Sequence, residues 1–519
     1  MGTHIALLTP FTTSHRTAEE TLALGYLAAV LRAAGRDVTI IDGWLENLSQ
    51  EQILRRVIDL PRPLVVGMSC YRSNIEQATS LMKCLKSSID DLKVFCGGYG
   101  PTFNADEFIY AGFDVAVRGD AEHIVVKLVE ALERSDSLDR IPGIVYNDQG
   151  VPSETRQSMP ITELDTLPFP ARDNVQTSIN GGNFVHVCTS RGCGAHCTFC
   201  SISAFVLRGS RNIRWRHRSV NNIVDEIEQH YHIHSVRNIK IVDDSFLESP
   251  RDASWACEFR DALLDRDLHI RFRTQVRADK VSPDIVAPLA EAGWFSTSVG
   301  IESAAASALK RMQKQSSVVQ NQEALDALRD HGVYVQMGMI LFDPYTTLDE
   351  LRVNLDFLKR NTWPFTKGIF SEMYAANGTV FTRQLDARGL LLGEAHAQNL
   401  RYDIQDQTVR RVYQLLKGWH RSHSHIYDWV IDTLTAPKVV SDEIFRQIHM
   451  LCQRLQVLDV GFFEKALEHV TSDPQSTDAQ LLAEVTRDSQ HEYEFIRQQI
   501  ATLYEAAGLT YIASDNPFI

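Results

Sequence analysis

Apolar and polar positions along the first 150 residues alternate between the period of a strand and the period of a helix. Short apolar runs predict strands, and segments with apolar residues at helical spacing lie between them. The predicted strands are Ile5–Leu8, Val38–Ile41, Leu64–Ser69, Val94–Cys96 and Val115–Val117, and Ile141–Tyr146 begins a closing hairpin. This order favours a doubly wound, Rossmann-like α/β domain, which binds its ligand at the C-terminal ends of the strands.

A second series of alternating strands and helices begins at Phe184. Its six predicted strands are Phe184–Cys188, Ile239–Val242, Ile270–Val276, Phe295–Ile301, Val333–Phe342 and Gly368–Tyr374. Six successive βα units favour a partial (β/α)6 barrel, with the active site at the C-terminal ends of the strands. From about Gln384 the pattern becomes helical and more polar.

These patterns divide the chain into four segments. We predict a cofactor-type α/β domain over residues 1–150, a linker over 151–180, the barrel over 181–383 and a mainly helical substrate or capping region over 384–519. The last segment carries a stretch of aromatic and histidine residues: Trp419, His420, His423, His425, Tyr427 and Trp429. This stretch suits a polar or planar substrate, or it packs the same residues into a helical core.

Composition and charge narrow the class of protein. A formal net charge of -14 over 519 residues argues against a general nucleic-acid binder. No apolar stretch reaches the length of a membrane span, and the N-terminus does not resemble a signal peptide, so we expect a cytoplasmic protein. Nine cysteines, an odd number, do not suggest a disulfide framework.

Three cysteines share one short loop. Cys193, Cys197 and Cys200 form a C-x3-C-x2-C arrangement directly after a predicted strand. Such a loop can supply three ligands to a [4Fe–4S] cluster, which usually has four, and leave one iron open. A zinc site usually needs a second, distant C-x2-C pair, which is absent from the sequence. Cys188, on the strand itself, is interpreted as a core residue.

The loop resembles the motif of the radical SAM superfamily, in which an aromatic residue precedes the last cysteine. The string Thr189–Cys193 is similar to the cobalamin-dependent branch of that superfamily. The resemblance covers roughly residues 1 to 380. It implies that the open iron binds the amino and carboxylate groups of S-adenosylmethionine. An electron passed through the cluster would then cleave this molecule to methionine and a 5′-deoxyadenosyl radical.

The resemblance also implies residues that bind S-adenosylmethionine. Phe199 would pack near the adenine. Asp243 and Asp244, at the end of the second barrel strand, would accept hydrogen bonds from the amino group, or they are solvated turn acids. Glu302, after the fourth strand, would contact the nucleoside or the methionine part. Gln275, on the third strand, would face the barrel lumen by period-two alternation.

The strand ends of the N-terminal domain lack the Gly-x-Gly-x-x-Gly dinucleotide fingerprint. The residues alone therefore indicate either a cofactor domain or a structural one. The strings around these strand ends resemble the cobalamin-binding domain that precedes the barrel in the same branch. The candidate cobalamin-binding residues are Ser69, Gly97, Gly98, Thr102 and Glu122.

One cobalamin motif is missing. The Asp-x-His-x-x-Gly string, whose histidine ligates cobalt from below in mutase-type proteins, does not occur in this sequence. We predict that cobalamin binds without a histidine of this chain below the cobalt, with Tyr71 and Arg72 as the residues to consider there. The alternative is a domain that keeps its structure and has lost cobalamin.

Together these features predict a cobalamin-dependent radical SAM enzyme with a [4Fe–4S] cluster, S-adenosylmethionine and cobalamin as cofactors. The favoured reaction is methylation of an unactivated carbon of a small-molecule or natural-product substrate, through the 5′-deoxyadenosyl radical and methylcobalamin. A cyclase, ring-contraction or dehydrogenation enzyme without net methyl transfer is the alternative. A non-catalytic cofactor-binding protein is disfavoured, and no catalytic residue is assigned.

A local basic stretch runs from Arg208 to Arg218, in contrast to the acidic chain as a whole. It can anchor the cysteine loop, bind an acidic substrate or dock an acidic electron donor such as flavodoxin or ferredoxin. A solvated loop is the simplest interpretation. The predicted partners are therefore a small-molecule substrate and an electron donor, with no nucleic acid and no membrane span.

Overall fold

The structure is a computed structural model that describes residues 3–11, 20–209, 213–366, 369–392, 401–435, 439–472 and 477–508. The side chains of Arg72 and residues 424–435 lie outside this description, as do Arg211 and Gly368, which the sequence analysis included in predicted segments. Contacts divide the chain into two compact units. Unit 1 contains the residues up to Cys193 together with Ser201–Ser235, and unit 2 contains Gly194–Cys200 together with the residues from Val236 onward.

Unit 1 alternates strands and helices, as its sequence pattern predicts. Its strands are β1 His4–Thr9, β2 Val38–Asp42, β3 Leu64–Ser69, β4 Lys93–Gly97, β5 Val115–Val117, β6 Ile144–Asp148, β7 Val151–Glu154, β8 Val185–Val187, β9 Ser190–Gly192 and β10 Trp215–His217. Its helices are α1 Leu22–Ala33, α2 Gln50–Ile58, α3 Ile75–Ser88, α4 Tyr99–Ala111, α5 Val125–Arg134, α6 Val175–Asn180, α7 Ser201–Gly209 and α8 Val220–Ile233.

Seven strands of unit 1 form one sheet in the order β2-β1-β3-β4-β5-β6-β7. The first five are parallel, and β6 and β7 form an antiparallel hairpin at the edge. Alternate residues of β3 pack into opposite layers, with Val66 and Met68 in one apolar cluster and Val65 in the other. Both faces are therefore covered, which is typical of a doubly wound sheet. The hairpin carries the sheet to Glu154, four residues beyond position 150.

Unit 2 continues the alternation and ends in long helices. Its strands are β11 Asn238–Ile241, β12 Arg271–Arg277, β13 Trp294–Glu302, β14 Tyr334–Met339, β15 Phe365–Thr366, β16 Leu391–Leu392 and β17 Arg401–Tyr402. Its helices are α9 Ala253–Leu264, α10 Pro283–Glu291, α11 Ala306–Met312, α12 Val318–Asp330, α13 Leu348–Arg360, α14 Val380–Ala387, α15 Gln407–Thr435, α16 Asp442–Thr471 and α17 Asp478–Ala506.

The strands β11 to β15 of unit 2 lie side by side in chain order and are all parallel. Their C-terminal ends therefore share one edge. One prediction about them was wrong in its limits: the strand predicted at Gly368–Tyr374 is instead Phe365–Thr366, and Glu372 forms an isolated bridge with Phe342. Pairing of Phe365 and Thr366 with Gln336 and Met337 of β14 decides the position of this strand.

The three long helices α15, α16 and α17 pack against one another. Trp419 of α15 stacks on Phe462 of α16 at 4.3 Å and donates its indole N–H to Asp459 at 2.8 Å. Tyr493 of α17 donates its hydroxyl to the same carboxylate at 3.1 Å. For Trp419 the structure thus favours the helical core over substrate contact. The side chains of His425, Tyr427 and Trp429 lie outside the described residues.

The C-terminal helices are also fastened to the edge of the sheet. The side chain of Gln456 in α16 accepts a hydrogen bond from the backbone N–H of Thr366 (2.9 Å) and donates one to the carbonyl of Asn361 (3.2 Å). Among the described helices, none is long and apolar enough to cross a membrane.

Candidate functional site

The cysteine loop begins at a glycine that tolerates no side chain. Gly192 has a φ of +87°, and a Cβ there would lie 2.2 Å from the carbonyl oxygen of Arg214. The same carbonyl accepts the backbone N–H of Cys193 at 3.1 Å. The antiparallel pairing of β9 with β10 brings these groups together, with Trp215 opposite Gly192. The first predicted ligand is thereby held at the end of a short ribbon.

The rest of the loop is held within unit 2. Thr198 donates both its N–H (2.9 Å) and its hydroxyl (3.2 Å) to the carbonyl of Met312, at the end of α11. The N–H of Gly194 points to the carboxylate of Glu248 at 3.2 Å. Cys197 is buried, and Cys200 is half-buried. None of Cys193, Cys197 and Cys200 forms a disulfide bond in the described part of the chain.

Positive groups lie close to these thiols. Burial raises the pKa of the Cys197 thiol, whereas the charges of Lys314 and Arg277 act to lower it. Burial opposes the charge of Lys314, yet Glu302, at 2.9 Å, and Cys197 hold its pKa above the ordinary value. Arg277 pairs with Glu248 at 2.9 Å. A cation near buried thiols favours their ionised form, which is the form that binds metal.

The donor set fits an iron–sulfur cluster with three protein ligands. Within the described ranges, no three His, Cys, Asp or Glu side chains converge as a single metal ion would require. A cubane cluster makes a different demand, because each cysteine thiolate binds a different iron. The zinc alternative finds no geometric support in this loop. Cysteines 193, 197 and 200 would hold the cluster, and Lys314 and Arg277 would offset its charge.

The residues predicted to bind S-adenosylmethionine lie at or near the C-terminal edge of the parallel strands of unit 2. Glu302 ends β13 with a φ of +64°, at a register shift against β14. Gln275 is exposed and donates to the carbonyl of Asp244 at 3.1 Å. Asp243 is fully buried beside Arg251 at 3.4 Å, so Asp244, which is half-buried, is the more accessible of the two acids.

Phe199, the aromatic residue of the cysteine loop, has apolar surroundings. It packs against an apolar cluster that includes Ala305, Met312 and Phe381. The N–H of Phe381 also donates to the carbonyl of Thr198 at 2.8 Å. These contacts fix the orientation of the ring, and its role beside an adenine remains a prediction.

The edge of the unit 1 sheet that is predicted to bind cobalamin is formed by the loops after β3, β4 and β5. Gly98 has a φ of +101°, and a Cβ there would lie 3.0 Å from the carbonyl oxygen of Cys70. Thr102 is buried and donates its hydroxyl to the carbonyl of Gly98 at 2.7 Å, while the N–H of Gly119 donates to that hydroxyl at 3.1 Å. Exposed Gly98 and half-buried Gly97 leave backbone open to a bulky ligand.

The remaining cobalamin candidates differ in their surroundings. Ser69, the last residue of β3, is half-buried at this edge. Tyr71 is 42% exposed and stacks on Trp44 at 5.5 Å. The backbone of Arg72 lies in a short turn over Arg72–Asn74, and its side chain is not described. A cavity of about 200 Å³ borders the same strand ends and is lined by Gly119 and Phe205 among other residues of unit 1.

Glu122 is engaged inside the protein. Its carboxylate binds Arg191, two residues before Cys193, at 2.6 Å. Asp120 binds Arg216, and Arg191 lies 3.5 Å from it. Burial would raise the pKa of Asp120, but these two guanidinium groups hold it below its ordinary value. The strand-end acids therefore hold the arginine that leads into the cysteine loop, and a role of Glu122 toward cobalamin stays a prediction.

This network explains much of the basic stretch from Arg208 to Arg218. Arg216 and Arg218 are buried, and Arg218 pairs with Glu226 of α8. Arg214 supplies the carbonyl that holds Cys193. Of the interpretations that the sequence left open, anchoring of the loop is the one with direct contacts. Sequence analysis missed Glu248 and Lys314, since nothing in their own surroundings marks them.

A doubly wound domain followed by parallel βα units, with three cysteines on a loop ahead of α7, is typical of a radical enzyme with an iron–sulfur cluster. Two family models match the chain: the B12 binding domain over residues 11–129 and the Radical SAM superfamily over residues 187–358. The chain belongs to the radical SAM enzymes that carry a B12-binding domain.

Individual relatives agree with this assignment. An uncharacterized methyltransferase of Pyrococcus horikoshii is 27% identical, over 65% of this chain and 73% of the relative. An anaerobic magnesium-protoporphyrin IX monomethyl ester cyclase of Synechocystis is 28% identical, over 60% of this chain but only 62% of the cyclase. The structure of the cobalamin-dependent S-adenosylmethionine radical enzyme OxsB with aqua-cobalamin bound shares the fold, with a TM-score of 0.77, 19% identity and coverage of 97% and 80%.

Proposed function

We propose that this chain is a cobalamin-dependent radical SAM methyltransferase that methylates an unactivated carbon of a small-molecule substrate. The observation that carries the proposal is the loop with Cys193, Cys197 and Cys200, held at Arg214 on one side and at Met312 on the other. The similarity to a methyltransferase over 65% of the chain supports the reaction type.

Each set of residues has a proposed role. The three cysteines bind the cluster. The residues proposed to bind S-adenosylmethionine are Phe199, Asp243, Asp244, Gln275 and Glu302, and those proposed for cobalamin are Ser69, Tyr71, Arg72, Gly97, Gly98, Thr102 and Glu122. When bound, the cluster and S-adenosylmethionine supply the radical that takes a substrate hydrogen, and cobalamin supplies a carrier for the methyl group.

The protein residues would orient these groups and keep water away from them. Glu302 offers a carboxylate to an ammonium group, at a strand end where its backbone is held in an unusual conformation. Asp244 offers a second carboxylate after β11, which is separated from β13 in the sheet by β12. The glycine pair Gly97 and Gly98 offers backbone rather than side chains to a flat, bulky ligand.

The proposal includes the predicted domain organisation. Residues 1–150 would bind cobalamin, 181–383 would form the radical SAM barrel after a linker over 151–180, and 384–519 would select the substrate. It also includes a cytoplasmic location and a flavodoxin or ferredoxin as electron donor. An acidic donor of this kind would be attracted by the exposed Arg208 of the basic stretch.

The test is anaerobic reconstitution of the full chain with iron, sulfide and hydroxocobalamin. Incubation with S-adenosylmethionine, reductant and candidate substrates should give 5′-deoxyadenosine, S-adenosylhomocysteine and a methylated product by mass spectrometry. The variant with Cys193, Cys197 and Cys200 replaced by Ala should lose about four irons per chain and remain folded. Cys188→Ala, a nearby cysteine outside the motif, is the matched control and should keep its iron. Full iron content in the triple variant contradicts the ligand assignment.

A second candidate function is a radical cyclisation without net methyl transfer. The similarity to the magnesium-protoporphyrin cyclase, over 62% of that enzyme, favours it. The two reactions separate in the same experiment. Formation of 5′-deoxyadenosine without S-adenosylhomocysteine, together with a product that has gained no methyl mass, would support the cyclase.

A further inference from the structure

A buried ammonium group lies where α11 meets the cysteine loop. Met312, the last residue of α11, accepts the backbone N–H of Thr198, the neighbour of Cys197, at 2.9 Å. Gln313 ends the helix with a φ of +52°, which turns the chain back. Lys314 follows, its side chain is only 6% exposed, and its ammonium donates to the carboxylate of Glu302 at 2.9 Å.

The absence of a side chain at Gly300 of β13 makes room for this ion pair. A Cβ at Gly300 would lie 2.5 Å from the nearer carboxylate oxygen of Glu302 and 2.9 Å from the ammonium nitrogen of Lys314. Glu302 itself has a φ of +64° at the register shift between β13 and β14. Such a conformation is strained for a residue other than glycine, so the surrounding structure determines where this carboxylate points.

The two cations near Cys197 differ in how far their charges are compensated. Arg277 pairs with Glu248 at 2.9 Å and with Asp279 at 2.6 Å. Lys314 has one carboxylate partner among the described residues, Glu302. The charge of Lys314 therefore has the larger uncompensated effect at this end of the loop. Because the pair is buried, salt screens its effect on the loop only weakly.

We propose that Lys314 sets the reduction potential of the cluster held by Cys193, Cys197 and Cys200, and that Glu302 acts in the opposite direction. The inference rests on the proposed ligation by these cysteines. Reduction transfers one electron from a low-potential donor to the cluster and makes it more negative. A nearby positive charge stabilises that reduced form and raises the potential, whereas a carboxylate lowers it. The ion pair thus balances two opposing influences on one electron transfer.

The test is a redox titration of the reconstituted full chain without S-adenosylmethionine, with dithionite as reductant and the electron paramagnetic resonance of the reduced cluster as the signal. Lys314→Met should reduce the ratio of reduced to oxidised cluster at a fixed potential about tenfold, which is ~59 mV for one electron. Glu302→Gln should shift the ratio in the opposite direction. Lys314→Arg keeps the charge and should keep the potential. Lys310→Met removes an exposed lysine of α11, the helix that precedes Lys314, and is the matched control.

A double variant provides a second test in case Lys314→Met alone does not fold. Lys314→Met with Glu302→Gln leaves no unpaired buried charge and should return the potential close to that of the unmodified chain. Equal potentials in the unmodified chain, Lys314→Met and Glu302→Gln would overturn the role of Lys314 and leave the cluster ligands intact. Failure of the unmodified chain to form any cluster would overturn both this inference and the proposed function.

Discussion

Replacement of Gly192 by alanine should loosen the cysteine loop without unfolding the protein. Backbone strain at a φ of +87° costs about 1–2 kcal/mol for a residue with a side chain. The new Cβ would lie 2.2 Å from the carbonyl oxygen of Arg214, so this carbonyl must move away. Its hydrogen bond with the N–H of Cys193, 3.1 Å long, would lengthen and lose about 0.5–1.5 kcal/mol.

The sum, roughly 1.5–3.5 kcal/mol, corresponds to a factor of roughly 10 to 400 in the equilibrium that keeps the loop closed. The assay is the loss of iron–sulfur absorbance after a chelator is added to the anaerobically reconstituted enzyme, and Gly192→Ala should lose its cluster faster. Gly150→Ala is the matched control, because its φ is +92° and a Cβ there meets nothing within 4 Å. An unchanged rate of cluster loss in Gly192→Ala would refute the role of this carbonyl in holding Cys193.

Two further predictions concern stability. Burial would raise the pKa of Glu226, but the nearby His230 side chain, at 3.9 Å, and the charges of Arg218 and Arg172 hold it at about 2. A carboxyl with a lowered pKa adds stability above about pH 4.3, which is lost as the pH falls toward 2. Glu226→Gln should therefore cost about 3–5 kcal/mol in denaturant unfolding at pH 7, and a cost that does not shrink below pH 4 would contradict the linkage. Tyr493→Phe removes the hydroxyl that donates to Asp459 and should cost about 1.5–3 kcal/mol, measured by Trp fluorescence, whereas Tyr110→Phe, at a 71% exposed tyrosine, should cost nothing measurable.

The layers of the fold could be predicted from the sequence because they follow from local periodicity. Strands such as Leu64–Ser69 in the first sheet and Tyr334–Met339 in the second are short, mostly apolar segments that the sequence pattern identifies. The final strand of the second sheet is the exception. Phe365 and Thr366 form it through pairing with β14, while the more apolar segment from residue 369 onward forms isolated bridges such as the one between Glu372 and Phe342. Tertiary pairing overrides propensity in a strand this short.

The candidate site also combines features that follow from local sequence with features that depend on tertiary contacts. The cysteine spacing is local, so its chemistry could be predicted from the sequence. The ion pair between Arg191 and Glu122 joins residues 69 positions apart, and no local pattern announces it. Lys314 and Glu302 are only 12 positions apart, yet their contact depends on the left-handed turn at Gln313 and on the register shift in β13. Neither backbone feature follows from the identity of the residues that adopt it.

The contacts of Gln456 have a consequence for engineering. The edge of a parallel sheet is an aggregation hazard unless something covers it. In this chain a glutamine of α16 accepts the backbone N–H of Thr366 in the last strand and donates to the carbonyl of Asn361 ahead of it, so a side chain pairs with backbone at this edge. A chimera that exchanges the C-terminal helices for those of a relative must therefore bring its own amide to this position. Without one, the bare strand edge would invite self-association before any change in substrate preference could be observed.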